Sequence, residues 1–252
     1  MSDRPDFSLD GFRRLLQAGL DNDYAFVPFE DHESYDAERV CLLRHDVDSD
    51  PGAALAMARV EAELGVVATY FFMLRSPLYN VFGRANHELV EAVLDLGHRL
   101  GLHYDPGFEP RAGRTHTGEI SVELDVLERM FGVRPGAVSF HQASQVPGGM
   151  EIEVHGAVKA NMLPGYQFVA DPNRSNWVLE AFEFFRIGEH PKLQLLAHPM
   201  WWADPLRAPE ELWERALLSN WERSQEQLLA REGAYGPRRA FRVEPAGPVG
   251  QA

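Results

Sequence analysis

Four apolar runs in this chain each end in a histidine. Val40-Cys-Leu-Leu43 leads into His45-Asp46-Val47-Asp48, and Leu100-Gly-Leu102 leads into His103-Tyr104-Asp105. Ala137-Val-Ser-Phe140 leads into His141-Gln142, and Leu193-Gln-Leu-Leu-Ala197 leads into His198-Pro199. A short apolar run with a polar end reads as a buried strand whose C-terminal mouth carries the polar groups. Helical segments separate the runs, so the chain is expected to form an α/β barrel or a doubly wound parallel sheet. Both place ligands at the C-terminal ends of their strands.

The intervening pattern supports this. Asp50 is placed to cap a helix with Pro51 at its first position, Leu55, Ala58 and Ala62 on its apolar face, and Gly65 at its end. Val66–Met73 reads as the next strand. Asn86 is expected to cap a helix ending at Gly97, and a short strand follows near Arg99–His103. A third helix is expected over about 118–131 and a strand over 137–141. Strands are expected near Tyr166–Val169 and Phe182–Ile187, then from Leu193 to His198. A long helix from Pro209 to about Glu232 closes the domain. Residues 1–242 read as one domain with its core at about 40–202. Residues 243–252, rich in Pro and Gly, read as a flexible tail.

Composition narrows the function. With 24 Lys+Arg against 38 Asp+Glu the net charge is −14, so no nucleic-acid partner is expected. Cys41 is the single cysteine, which leaves no disulfide within the chain and no thiolate zinc cluster. Its apolar neighbours make it a small buried hydrophobe. No apolar window reaches the roughly 18 residues of a membrane span, and the polar N-terminus is no secretory signal. A cytoplasmic location without membrane insertion is expected.

Of ten histidines, four lie at expected strand ends, two with carboxylates beside them. Gathering titratable groups in a protein interior is costly unless they bind a metal or one another. Imidazole and carboxylate without thiolate suit zinc first, with cobalt, nickel, manganese or iron as alternatives. Asp46 and Asp48 are two apart, so they share a face at a strand end. Asp50 alone is enough to cap the following helix, which leaves both free for chemistry. Trp201 and Trp202 offer flat faces for a sugar ring, with packing at a barrel rim an equal reading.

Three motifs in order resemble the polysaccharide deacetylase domain, the NodB-homology or carbohydrate esterase family 4 fold. They are Leu42-Leu-Arg-His-Asp-Val-Asp48, Leu64-Gly-Val-Val-Ala-Thr-Tyr-Phe-Phe72 and Leu96-Gly-His-Arg-Leu-Gly-Leu-His-Tyr-Asp105. The first resembles a divergent branch often found beside surface-polysaccharide genes. The resemblance implies a distorted (β/α) barrel of about seven strands, TIM-like in plan, with a divalent metal at its mouth. It implies Asp46 as catalytic base, Asp48 and His103 as metal ligands, and His198 as the acid that protonates the leaving amine. Asp171 and Trp177 fall near a supporting motif. Arg44, His45, Tyr104 and Trp202 are the other supporting residues expected.

The chain departs from the family pattern in three places. Val47 separates the usually adjacent aspartates, so the base and ligand roles of Asp46 and Asp48 are open to exchange. Gly107 stands where the second metal histidine is expected, which makes His141 the first choice for a third ligand and His198 the second. Phe140-His-Gln-Ala occupies the place of an Arg-Pro-Pro-Tyr motif. The implied activity is metal-dependent removal of an N-acyl (acetyl) group from an amino sugar or sugar nucleotide in surface-polysaccharide biosynthesis. The alternatives are a non-catalytic sugar-binding protein, or a hydrolase of another C–N amide bond.

Overall fold

The computed structural model describes residues 6–171, 174, 177–204 and 208–232, without the side chain of Trp177. The expected tail at 243–252 lies outside the described residues.

The centre of the fold is β2 (Val40–Val47), buried along its whole length. It pairs in parallel with β8 (Lys192–Ala197) on one side. Its other side pairs first with β1 (Ala25–Phe26) and then with β3 (Thr69–Phe72). From β3 the sheet runs through β4 (Arg99–Tyr104) and β5 (Ala137–Phe140) to β6 (Val158–Lys159). From β8 it runs to β7 (Gln167–Ala170). All pairings are parallel and the order is β6-β5-β4-β3-β2-β8-β7, with β1 beside β2. This is the expected α/β architecture as a curled half-barrel. Among the described residues no ladder joins β6 to β7. Side chains cross that gap instead: the Gln194 amide donates to the Ala160 carbonyl (2.5 Å) and accepts from the Leu163 amide (3.1 Å).

Residues along β2 alternate between faces, as the two-residue period of a strand requires. Val40 and Leu42 fill the concave side with Val27, Phe29, Phe71, Ala137 and Ala160. Gly101 makes room there, since a Cβ at this position would lie 2.4 Å from the Phe71 ring. Cys41, Leu43 and Val47 join the larger core with helical residues such as Phe12, Leu16, Ala54 and Ala58. Burial pushes the Cys41 thiol up, consistent with an inert packing role.

Helices α1 (Leu9–Leu20), α2 (Pro51–Glu63), α3 (Arg84–Asp95), α4 (His116–Phe131), α5 (Trp177–Ile187) and α6 (Pro209–Arg231) surround the sheet. Asp50 caps α2 by accepting from the Gly52 amide (2.9 Å), with Pro51 behind it. Such a cap contributes about 1 kcal/mol. Gly132 ends α4 in the left-handed region at φ 71°, which favours glycine.

Several boundaries differ from expectation. Residues 182–187 are helical, not a strand: Val178, Ala181 and Phe185 are buried at helical spacing. The first helix α1, capped by Ser8, precedes the first unit expected. Gly83, not Asn86, caps α3, and the Asn86 amide instead donates to the Asn80 carbonyl (3.1 Å). The strand expected over Val66–Met73 shortens to Thr69–Phe72. None of the described helices is long and apolar enough to cross a membrane.

Candidate metal centre and its surroundings

The reactive side chains gather where the strands end. Asp48, His141, Asp171 and His198 each follow directly on the last residue of a strand, while Arg44, Asp46 and His103 lie within strands. The parallel sheet brings these seven to one mouth. His141 is followed by Gln142 in the left-handed region (φ 45°), a conformation costly for a residue with a Cβ. This turn leads the chain away after the histidine.

Asp48 Oδ1 lies 3.0 Å from His103 Nε2 and 3.4 Å from His141 Nδ1, and those nitrogens are 3.2 Å apart. The tautomer of His103 follows from its neighbours. The Ser139 hydroxyl donates its one proton to Asp46 Oδ1 (3.1 Å), so it must accept from His103 Nδ1 (2.7 Å). His103 Nε2 is left with a lone pair turned towards Asp48 and His141. Asp48 Oδ1 is itself buried with no hydrogen-bond partner. His103 Nε2, His141 Nδ1 and the unpartnered Asp48 Oδ1 thus converge on one point, where a positive charge would satisfy the carboxylate.

A metal ion fits that demand. Bonds of 2.0–2.2 Å around a four- to six-coordinate ion place neighbouring ligand atoms roughly 3.0–3.6 Å apart, the range seen here. Asp48, His103 and His141 could hold such an ion. Titration reflects the same demand. Burial opposes charge on His141, but the Asp48 carboxylate outweighs it and raises the pKa. Burial also works against ionised Asp48, yet His103, His141 and His198, where they carry a donor proton towards it, hold its carboxyl well below the usual range.

Two further groups flank this tripod. Asp46 is gripped in a two-point pair by Arg44, with Nε donating to Oδ1 (2.8 Å) and Nη2 to Oδ2 (2.6 Å). Burial would raise its pKa; the Arg44 guanidinium, with His103 and His198, lowers it instead. Asp46 Oδ2 lies 3.7 Å from His103 Nε2. On the other side His198 Nδ1 donates to the fully buried Asp171 (2.6 Å), which also accepts from the His198 amide (2.8 Å) and the Trp202 indole (3.3 Å). His198 Nε2 is left pointing towards Asp48 Oδ2, 3.7 Å away. Burial opposes charge on His198; Asp171 outweighs it, Asp48 and Asp46 add to the effect, and the pKa is pushed up to about 9.

Two expected supporting residues, His45 and Tyr104, lie elsewhere, and Trp202 supports the site from the core. His45 and Tyr104 are one residue out of phase with Asp46 and His103, so they face the helices. His45 bonds to the Ala197 carbonyl (3.1 Å) and to Glu61 (2.5 Å), and the Tyr104 hydroxyl meets His116 (2.8 Å). Trp202 is no rim platform. It is buried against Phe7 and Phe12 and serves as a donor to Asp171. Trp201, with Trp213, does line the cleft above the site. Ser139, which orients His103, was not anticipated. It lies two residues before His141 and so on the same face, a relation the strand period contains.

No protein-family model matches the chain, and no curated protein is similar to it. Solved structures do align with it. The solved structures it resembles include carbohydrate esterase family 4 deacetylases and a family 4 pseudoenzyme from Bacillus anthracis. A family 4 carbohydrate esterase from Bacillus anthracis is 13% identical, with a TM-score of 0.39 over 83% of this chain and 86% of that one. The Streptococcus pyogenes deacetylase PplD, solved with acetate, is 12% identical, with a TM-score of 0.41 over 82% and 85%. The Bacillus subtilis peptidoglycan deacetylase PdaC is 17% identical, with a TM-score of 0.39 over 79% and 97%. Likeness this distant transfers neither activity, substrate nor metal.

Proposed function

We propose that this chain is a metal-dependent amide hydrolase that removes an N-acyl group from an amino sugar in surface-polysaccharide biosynthesis. The observation that carries the reading is the convergence of Asp48, His103 and His141 between an arginine-held aspartate and an aspartate-held histidine. The sugar and the pathway rest on the motif resemblance. A nucleotide-linked or lipid-linked precursor is the substrate form proposed.

Asp48, His103 and His141 would hold a divalent ion, with zinc the first choice for this donor set. Such an ion, when bound, polarises an amide carbonyl and lowers the pKa of water. The chain's own groups handle the protons. Arg44 keeps Asp46 ionised, so Asp46 takes a proton from the attacking water. Asp171 keeps His198 charged at neutral pH, so His198 Nε2 gives a proton to the departing amine nitrogen. The C–N bond breaks and a C–O bond forms, so the amide and one water become a carboxylate and a protonated amine.

Gly107 at the usual second-histidine position was the feature favouring a binding protein without catalysis. The position of His141, which follows β5 and lies beside Asp48 and His103, supports the hydrolase reading instead. The test is hydrolysis of N-acyl glucosamine substrates by protein incubated with zinc or cobalt. Asp46→Asn and His198→Ala should each lower kcat by about 100- to 10,000-fold. Full activity in either variant would refute its role, and an inactive wild type with every metal would refute the reading.

A further inference from the structure

The cleft above the tripod has a volume of about 650 Å³, within the range that binds whole small-molecule ligands. Its polar groups are largely committed to one another. Arg44 is spent on Asp46 and the Ala160 carbonyl, and Asp46 is also bonded to Ser139. Asn161 turns both ends of its amide back onto the Phe140 backbone (2.7 and 3.4 Å). Among the described lining residues, Gln142 and Ser144 are the uncharged polar side chains left over, and both sit exposed at the rim. The deep wall is apolar: Met73, Phe140, Leu196, Met200 and Trp201 line it and are all buried.

A hydroxyl-rich sugar pressed onto that wall would lose water without gaining partners, which is costly for each hydroxyl. Its hydroxyls find partners and solvent at the rim. The acyl side of the scissile amide is then the part that meets the deep wall. An acetyl methyl, about the size of one water at roughly 30 Å³, would cover little of the wall formed by Met73, Phe140, Leu196, Met200 and Trp201. Unbranched, polarisable methionine side chains suit a flexible apolar chain.

We infer that the acyl group removed is an apolar one longer than acetyl, a medium-length aliphatic chain or an aryl group. This rests on the hydrolase reading above. The experiment measures kcat/KM for N-acetyl-, N-butyryl-, N-hexanoyl- and N-benzoyl-glucosamine by release of glucosamine. Each buried methylene is worth about fourfold, so the hexanoyl compound should exceed the acetyl one by at least tenfold. Trp213→Gln and Leu78→Gln, at partly exposed lining positions, should shrink that ratio. Hydrolysis with an equal or greater preference for acetyl would overturn the inference and leave the hydrolase reading intact.

Titration of tryptophan fluorescence with hexanoate and with acetate tests the wall without turnover. If no amide is hydrolysed, the hydrolase reading fails, and the titration still decides the wall. Hexanoate binding at least tenfold tighter than acetate supports an apolar acyl site. Equal binding, or none, overturns it.

Discussion

His45 and Asp46 are neighbours in the chain, yet each anchors a cluster of opposite character. On the helix side of β2, His45 Nδ1 donates to the Ala197 carbonyl (3.1 Å) and its Nε2 is hydrogen-bonded to Glu61 (2.5 Å). The Tyr70 hydroxyl donates to the other Glu61 oxygen (2.6 Å). His98 donates to the Ala58 carbonyl (2.9 Å) and accepts from the Ala68 amide (3.3 Å), and burial holds its pKa down. Each of these donors meets an acceptor, and all four side chains are buried. On the cleft side the same residue types bring His103 Nε2 and His141 Nδ1 together (3.2 Å) and leave the buried Asp48 Oδ1 without a hydrogen-bond partner. A histidine–carboxylate cluster is therefore no sign of a site by itself. What distinguishes the two is whether the protons close the network. The sealed cluster satisfies its own polar groups, whereas the open one leaves a buried carboxylate oxygen that a cation would satisfy.

Breaking the sealed cluster should give the largest effect. Glu61→Ala strands His45 and the Tyr70 hydroxyl in the core and should cost about 3–5 kcal/mol in denaturant unfolding. Metal uptake per folded molecule should stay unchanged.

Asp171→Asn tests the other end of the open site. Its partner His198 has its pKa raised from about 6.5 to about 9. A raised pKa adds stability that is complete below about 6.5 and lost as pH rises through about 9. The acid must also be protonated to act, so wild-type activity should fall above about pH 9. In Asp171→Asn that alkaline limb should move towards 6.5, lowering the rate at pH 8 about tenfold or more.

Ser139→Ala frees His103 to change tautomer and should weaken metal affinity by about 10- to 100-fold in a chelator competition, with little change in fold. The smallest effect belongs to the sealed side again. Tyr70→Phe removes one donor to Glu61 and should cost about 1–2 kcal/mol in the same unfolding assay, with metal affinity unmoved.

Much of this contrast was legible in the sequence, because strand ends and the two-residue period are local properties. The placement of His103, His141 and His198 at or near strand ends, the shared face of Asp46 and Asp48, and the Asp50 cap all follow from them. His45 and Tyr104 went astray where the motifs were taken as blocks rather than as alternating faces. The Phe182–Ile187 helix was obscured by aromatic residues that also favour strands. Its helical face shows only when Val178 and Ala181 are counted with Phe185. Glu61 and Asp171 become partners of His45 and His198 through packing between distant segments, which no local pattern carries. The closeness of His141 Nδ1 to His103 Nε2 (3.2 Å) likewise depends on how neighbouring strands pack.

The most direct measurement is metal content by elemental analysis after incubation with zinc and removal of excess. The wild type should hold close to one equivalent. His103→Ala and His141→Ala should lose it, while His98→Asn, altered in the sealed cluster, should keep it. A wild type without metal, or a His141→Ala variant that retains a full equivalent, would contradict the tripod.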